Sequence, residues 1–229
     1  MRKFSMLAAA LICVSRFSFA TSACSDASLS HYIGLGAGGC TIGTNTLSDF
    51  AALSSITGAT PIPAGSILLS PFGSSTDPGL RVTVSVSVSA GALLQSLFTY
   101  RIAGGFYGHS AIALTGSSQT GDGAVTGIEN FCAGGTFGPD GVSGCTTASG
   151  SLLTLNGTQN ADSAFFGAAH FLSVTDDLTA DGGLAGTASA GTLSNQFSTV
   201  PEPSTILLLA VGFLSAGVIR WKLTKRICS

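Results

Sequence analysis

Residues 80–89 read Leu-Arg-Val-Thr-Val-Ser-Val-Ser-Val-Ser, and this stretch decides the fold class. Four valines alternate strictly with threonine and serine, so the valines face one way and the hydroxyl side chains face the other. A period of two is typical of a half-buried β-strand with one solvated face. Residues 97–102 repeat the alternation, whereas helical periodicity is limited to a short candidate helix at residues 47–56 and a single turn at residues 91–97.

Shorter strand candidates follow, and Gly- and Asp-rich breaks separate them. Many short strands without alternating helices predict an all-β fold, namely a single antiparallel β-sandwich of jelly-roll or immunoglobulin-like topology. We expect this domain to span residues 24–193, with residues 194–199 as a spacer. The candidate strands lie at residues 111–115, 125–131, 152–156, 165–175 and 184–189.

The first 23 residues have the three parts of a secretory signal peptide. Arg2 and Lys3 precede an apolar stretch at residues 6–14, and small residues follow. The apolar stretch is too short to cross a bilayer as a helix, which takes about 20 residues. We therefore expect export of the chain, with the signal removed after Ala20 or after Ala23.

A second apolar run, residues 204–219, is uncharged and ends at a basic cluster. Sixteen residues at about 1.5 Å each give a helix of about 24 Å, and snorkelling basic side chains can make up the remaining thickness. Positive residues stay on the cytoplasmic side of a membrane. We expect a transmembrane helix at residues 204–219 and a cytoplasmic tail at residues 220–229, whose stop signal is Arg220, Lys222, Lys225 and Arg226.

The charge of the exported region limits its partners. Between residues 24 and 199 the chain has ten acidic residues, two arginines (Arg81 and Arg101) and no lysine, which gives a formal charge of −8. Nucleic acids and anionic lipids both require cationic contacts. We therefore expect no nucleic-acid partner, and membrane contact only through the C-terminal helix.

Four cysteines lie in the exported region, Cys24, Cys40, Cys132 and Cys145. An even number in an oxidising compartment predicts two disulfides, for which three pairings are possible. We favour the local pairing, Cys24 with Cys40 and Cys132 with Cys145, because each closes a short Gly-rich loop. In an alternative, Cys24 is acylated as in a lipoprotein. A metal site is not favoured, because the sequence has no Cys-x-x-Cys motif and no histidine near either cysteine pair.

Candidate catalytic residues are few. Residues 34–39 match Gly-x-Gly-x-x-Gly, but no strand precedes them and no acid follows at the required distance, so we expect a structural loop and no cofactor. Glu129 is the sole glutamate of the region and could serve a hydrolase together with one aspartate. Asp176, Asp177 and Asp181 could gather around calcium, although a solvated turn between two strands is the preferred interpretation. We predict no catalytic residue.

Val200, Pro201, Glu202 and Pro203 stand just before the C-terminal apolar run. This motif, the apolar run and the basic end, in this order, resemble the PEP-CTERM sorting signal of exosortase-bearing Gram-negative bacteria. The resemblance implies that exosortase recognises Pro201, Glu202 and Pro203 and cleaves near them. It implies an inner-membrane-anchored precursor that passes to the cell surface or extracellular matrix.

The exported region is also similar, more distantly, to the ectodomains of such exosortase substrates. The similarity is carried by residues 39–43, 48–50, 78–80 and 129–135 and by Cys145. It implies association with exopolysaccharide and biofilm. Because the sequence shows the sorting tail, low charge and no catalytic constellation, we favour a non-enzymatic surface or extracellular-matrix protein. The alternatives are a carbohydrate-binding module that could depend on calcium and, less favoured, a secreted hydrolase.

Overall fold

The computed structural model describes residues 21–54 and 58–200. Most of the predicted signal peptide and the whole predicted transmembrane helix, residues 204–219, lie outside these residues. Within the described ranges, no helix combines the length and the apolar character needed to cross a membrane.

The described residues form fourteen β-strands, one α-helix and two short 3-10 helices. The helix α1 spans Leu29–Gly34, and the 3-10 helices span Gly36–Gly38 and Ala64–Ser66. The strands are β1 (Ala27–Ser28), β2 (Cys40–Ile42), β3 (Asn45–Ala52), β4 (Thr60–Pro61), β5 (Ile67–Gly73), β6 (Pro78–Val84), β7 (Ser87–Ser89), β8 (Leu93–Thr115), β9 (Ser118–Thr120), β10 (Ala124–Ala133), β11 (Ala148–Leu155), β12 (Ala161–Asp181), β13 (Thr187–Ser189) and β14 (Thr192–Thr199).

Eleven of these strands belong to one main sheet. Its order is β1-β5-β6-β14-β8-β12-β10-β11, with β3 and β4 also paired to β8 and with β2 paired to β3. A small sheet contains β7, β13 and β9. The main-sheet pairings are antiparallel except for β4 with β8, so the all-β antiparallel prediction is confirmed. The predicted jelly-roll and immunoglobulin-like topologies are not confirmed, because the eleven strands form one continuous sheet.

The two longest strands, β8 and β12, change direction near their middles. Gly104 has a φ of 114°, which only glycine adopts readily. The pairing of β12 with β8 shifts register between Phe165 and Ala169 and again before Phe171. Such irregularities bend strands. As a result the first half of β8 pairs with β3, and its second half pairs with β14.

The two halves of the bent sheet face each other across a buried interior. Tyr100, in the first half of β8, packs against Phe50 of β3 at a ring distance of 5.3 Å and against Phe197 of β14 at 6.4 Å. A Cβ placed on Gly127 of β10 would lie 2.7 Å from Leu193 of β14. The close packing explains why the position is a glycine.

Several local predictions differ from the structure. The stretch 80–89 contains two strands, because the chain leaves β14 after Val84 and pairs with β13 from Ser87. Residues 47–56 were predicted to be a short helix, but their first six residues lie in β3, where Leu47 and Phe50 are buried. The predicted turn at residues 91–97 is limited to the start, since Gly91 has a φ of 77° and β8 begins at Leu93.

Candidate functional site

The sorting motif begins where the central strand β14 ends. Residues 194–199, predicted to be a spacer, lie in this strand, which pairs with β6 on one side and β8 on the other. Its side chains alternate between inside and outside, and Leu193, Asn195 and Phe197 are buried. One residue, Val200, separates the last residue of the strand from Pro201.

The chain is held at this exit by its backbone. The Thr199 amide donates to the Thr76 carbonyl at 2.8 Å, and the Val200 amide donates to the Phe106 carbonyl at 2.6 Å. Glycines make room for both side chains. A Cβ on Gly105 would lie 2.6 Å from Thr199, and a Cβ on Gly108 would lie 2.8 Å from Val200. The fold therefore fixes the segment that leads into Pro201, Glu202 and Pro203, which themselves lie outside the described residues.

An open trough crosses the outer face of β6, β14, β8 and β12 and has a volume of about 610 Å³. Its floor consists of small or polar side chains in register across the strands. Ser194 of β14 pairs with Arg81 of β6 and with Ala113 of β8, and Ala111 of β8 pairs with Ser163 of β12. Three inter-strand spacings of about 4.8 Å give the floor a width of about 14 Å.

An aromatic ring lies beside a polar lining residue on each side of the open trough. Phe72 is part of the lining, whereas Phe165 stands just beyond it, two residues after Ser163 on the same strand. The Arg81 guanidinium lies 4.4 Å from the centre of the Phe72 ring. Across the floor, the His109 and Phe165 rings are 4.4 Å apart, and Phe165 is 86% exposed. An exposed phenylalanine beside a polar floor is a surface feature that residues 21–54 and 58–200 leave uncovered.

The two acids that the sequence offered to a hydrolase lie in the interior. Glu129 and Asp176 are directly paired on β10 and β12, and both are fully buried. Ser110 donates to Glu129 at 2.5 Å, and the Asn195 amide donates to Asp176 at 2.5 Å and to the Tyr100 hydroxyl at 3.3 Å. Since neither acid has exposed surface, a substrate cannot reach them.

Burial makes these interior acids weak. Loss of hydration raises the pKa of Asp176 to about 8 and raises the pKa of Glu129 well above its ordinary value. The neighbouring Asp176 charge raises the pKa of Glu129 further. The second oxygen of each carboxyl has no hydrogen-bond partner among the described residues. Both carboxyls therefore favour the neutral, protonated form.

The structure does not gather the three aspartates of the calcium hypothesis. Asp176 and Asp177 lie within β12, not in a solvated turn as predicted, and they point to opposite faces. Asp177 accepts hydrogen bonds from Gln95 at 2.7 Å and from Thr179 at 2.8 Å, while Asp181 caps the amide of Gly183. Within residues 21–54 and 58–200, no three His, Cys, Asp or Glu side chains are grouped so as to hold a metal ion.

The cysteines adopt the local pairing, Cys24 with Cys40 and Cys132 with Cys145. The first disulfide encloses the Gly-x-Gly-x-x-Gly stretch of residues 34–39, and α1 ends at the first of these glycines, Gly34, instead of following them. That order is the reverse of a dinucleotide site. The second disulfide ties β10 to residues 134–147, which we call the covering loop.

Sequence reasoning missed the open trough entirely. The alternation around Arg81 identified an outward-facing side chain, but nothing near Phe165 indicated that its ring stands beside His109. The two residues are 56 positions apart and become neighbours through the pairing of β8 with β12. The pairing of strands that are distant in the chain cannot be deduced from a single sequence.

The model of the PEP-CTERM protein-sorting motif matches residues 199–222. No curated protein matches the chain. Among solved structures, similarity is found to the Glycosylation Associate Protein (Gap123) complex from Streptococcus agalactiae, with 14% identity, a TM-score of 0.27 and coverage of 70% of this chain and 27% of that chain. The enzymatically active domain of bacteriophage CBA120 tailspike protein 4 is similar with 12% identity, a TM-score of 0.26 and coverage of 66% and 19%.

The present chain thus spans less than a third of the length of either solved chain. The match at residues 199–222 begins with the last residue of β14 and includes Pro201, Glu202 and Pro203. Such a motif indicates an exported, membrane-anchored precursor that is then processed to the cell surface, with exosortase as the processing partner. The chain therefore carries a PEP-CTERM protein-sorting motif at residues 199–222.

Proposed function

We propose that this protein is a non-enzymatic component of the cell surface or extracellular matrix of a Gram-negative bacterium, associated with exopolysaccharide after exosortase cleaves near residues 201–203. The observation that carries the proposal is the sorting motif placed directly after the last strand of the sheet. Cleavage there removes the apolar run and the basic tail and leaves the described fold intact. The precursor is held in the inner membrane by residues 204–219.

The absence of a catalytic role is part of the proposal. Glu129 and Asp176 are sealed in the interior, and the open trough has a single carboxylate in its lining, that of Asp162. One carboxylate does not supply the acid and base pair that glycoside hydrolysis uses. The proposed role therefore rests on binding and placement of the domain.

Intact-mass spectrometry of the protein recovered outside its producing cells tests the proposal. We expect a C-terminus near residues 201–203. In the variant Glu202→Ala we expect the precursor to keep its tail and to remain with the membranes. The control Asp26→Ala, which changes an exposed acid outside the motif, should be processed normally. Recovery of extracellular protein that still ends at Ser229 would contradict the proposal.

A further inference from the structure

We propose that the open trough is a binding site for an extended, uncharged glycan chain. This inference rests on the proposed function, because it assigns the exopolysaccharide contact of the delivered domain to one surface. The covering loop does not shield the trough, because the loop packs on the other half of β8 and β12, where Gly141 contacts Thr99 and Thr175.

The shape of the trough suits a flat, elongated ligand. Its floor carries small side chains at Ala111, Ala113 and Ser194, so a ligand can approach the sheet closely. A channel about 14 Å wide accommodates a short run of sugar rings lying on the sheet. Ligand sites combine apolar contact area with a few placed polar groups, and this surface has both.

The chemistry at the two ends suits a sugar. A pyranose ring has an apolar C–H face and a rim of hydroxyl groups. The exposed Phe165 ring offers a stacking surface for the apolar face. The guanidinium of Arg81 has several N–H donors in a fixed plane for hydroxyl oxygens, and its position over Phe72 holds that plane in place.

Charge favours an uncharged glycan over an acidic one. The region from residue 24 to residue 199 has a formal charge of −8, and such a field repels polyanions. Arg81 is the one arginine or lysine of the trough lining, and Asp162 stands in the same lining. The trough therefore offers hydrogen-bond donors without a net positive patch.

Native affinity electrophoresis of the protein purified from its producing cells tests this proposal. The gels contain hydroxyethyl cellulose, alginate or the purified exopolysaccharide of the same cells. We expect retardation by the exopolysaccharide or by the neutral cellulose derivative that persists in 0.5 M salt. The variants Phe165→Ala and Arg81→Ala should each weaken retardation by about tenfold or more.

Two matched controls separate the trough from general surface effects. Leu184→Ala removes an apolar side chain that is 92% exposed, and Arg101→Ala removes the other arginine of the domain, which lies over Phe171 on the opposite half of the sheet. Both should bind as the unchanged protein does. Retardation only by alginate, no retardation in any gel, or equal binding by Phe165→Ala would overturn the proposal.

The two proposals fail in different ways. A protein that is cleaved near residues 201–203 but binds none of the three polymers keeps exosortase delivery and loses the glycan site. A protein that binds through Arg81 and Phe165 but retains its tail keeps the glycan site and loses the processing step.

Discussion

The bend divides the outer surface of β8 and β12 into two faces. The covering loop packs on one of them and leaves the other open. In the first half of β8, Arg101 lies 4.1 Å from the Phe171 ring centre, and the covering loop packs beside it. The second half of β8 forms part of the open trough, where Arg81 of the nearby strand β6 lies over the Phe72 ring. On the covered face Thr175 has no exposure, whereas Phe165 on the open face is 86% exposed.

Similar outward-facing side chains therefore become structural on one face and available on the other. The Thr175 hydroxyl donates to the carbonyl of Gly141, and the Ser173 hydroxyl donates to that of Gly135 at 2.9 Å, so the covering loop satisfies the polar groups of the covered face. On the open face the polar groups of Arg81 and His109 face the trough. The location of one loop, more than residue type, decides which face is covered and which stays exposed.

The largest expected effect comes from the interior that supports both faces. The pKa of Asp176 is raised to about 8 by burial, from an ordinary value near 3.8 in the unfolded chain, and that of Glu129 is raised as well. The folded state thus holds more protons than the unfolded state over this range, so stability must fall as pH rises. We expect the melting temperature to decrease steadily between pH 4 and pH 8, and we expect both faces to lose stability together.

The variant Asp176→Asn checks this assignment, because it keeps the shape and removes the titrating proton. Its melting temperature should depend less on pH, while the exposed control Asp26→Asn should follow the unchanged protein. The exposed Asp122 and Asp140 have lowered pKa values through backbone and side-chain hydrogen bonds. They act in the opposite direction, and only below about pH 4. A rising melting temperature from pH 4 to pH 8 would refute the neutral interior.

The second effect concerns the covering loop alone. Replacing Cys132 and Cys145 by serine opens a loop of 13-residue separation, which should lower the free energy of unfolding by about 3 kcal/mol in the chain-entropy model. Replacing Cys24 and Cys40 by serine should lower the free energy of unfolding by a similar amount. Only the first double variant should lose hydrogen-exchange protection of the Gly138 amide, which bonds to the Ser143 carbonyl. Equal loss in both variants would show that the loop is held by something other than its disulfide.

A third, smaller effect on stability should follow from adding a side chain at the tightly packed contact under the covering loop. Gly141 has a φ of 72°, and a Cβ there would lie 2.3 Å from the Leu53 side chain. Gly141→Val should therefore lower the free energy of unfolding by about 2 kcal/mol through crowding and backbone strain. Gly167→Val is the matched control, since a Cβ at Gly167 meets nothing within 4 Å, and its cost should stay within about 0.5 kcal/mol. Chemical denaturation measures both, and equal costs would rule out tight packing under the loop.

The smallest expected effect distinguishes the two arginines. Arg101 is half-buried and Arg81 is exposed. Arg101→Ala should lower the free energy of unfolding by about 1 kcal/mol, because it removes a shielded contact with Phe171 as well as a charge. Arg81→Ala should cost less than about 0.5 kcal/mol. A larger loss of unfolding free energy for Arg81→Ala would mean that Arg81 stabilises the fold and is not free to serve a ligand alone.

The alternation of residues 80–89 was enough to predict β-structure and to identify which side chains face outward. It could not predict that Val84 and Val88 enter different sheets, because the choice depends on β13 and β14, about 100 residues later. The sorting motif was predictable because its chemistry is contiguous in sequence. The open trough was not, since Arg81, His109 and Phe165 are brought to one face of the sheet only through strand pairing. Asp176 was mistaken for a solvated residue because its partner, Asn195, is 19 positions away on another strand.

The position of β14 also has a consequence for the timing of folding. A chain exported from its N-terminus delivers β6 and β8 outside long before residues 192–199, yet these eight residues lie between them in the finished sheet. The middle of the sheet must therefore stay open until almost the entire exported region has crossed the membrane. The sorting motif follows within two residues, so the membrane-anchored precursor is the first species in which this fold can be complete. Export and the final folding step thus end together, and a truncated chain without its last strand would reach the cell exterior with an unfilled gap in its sheet.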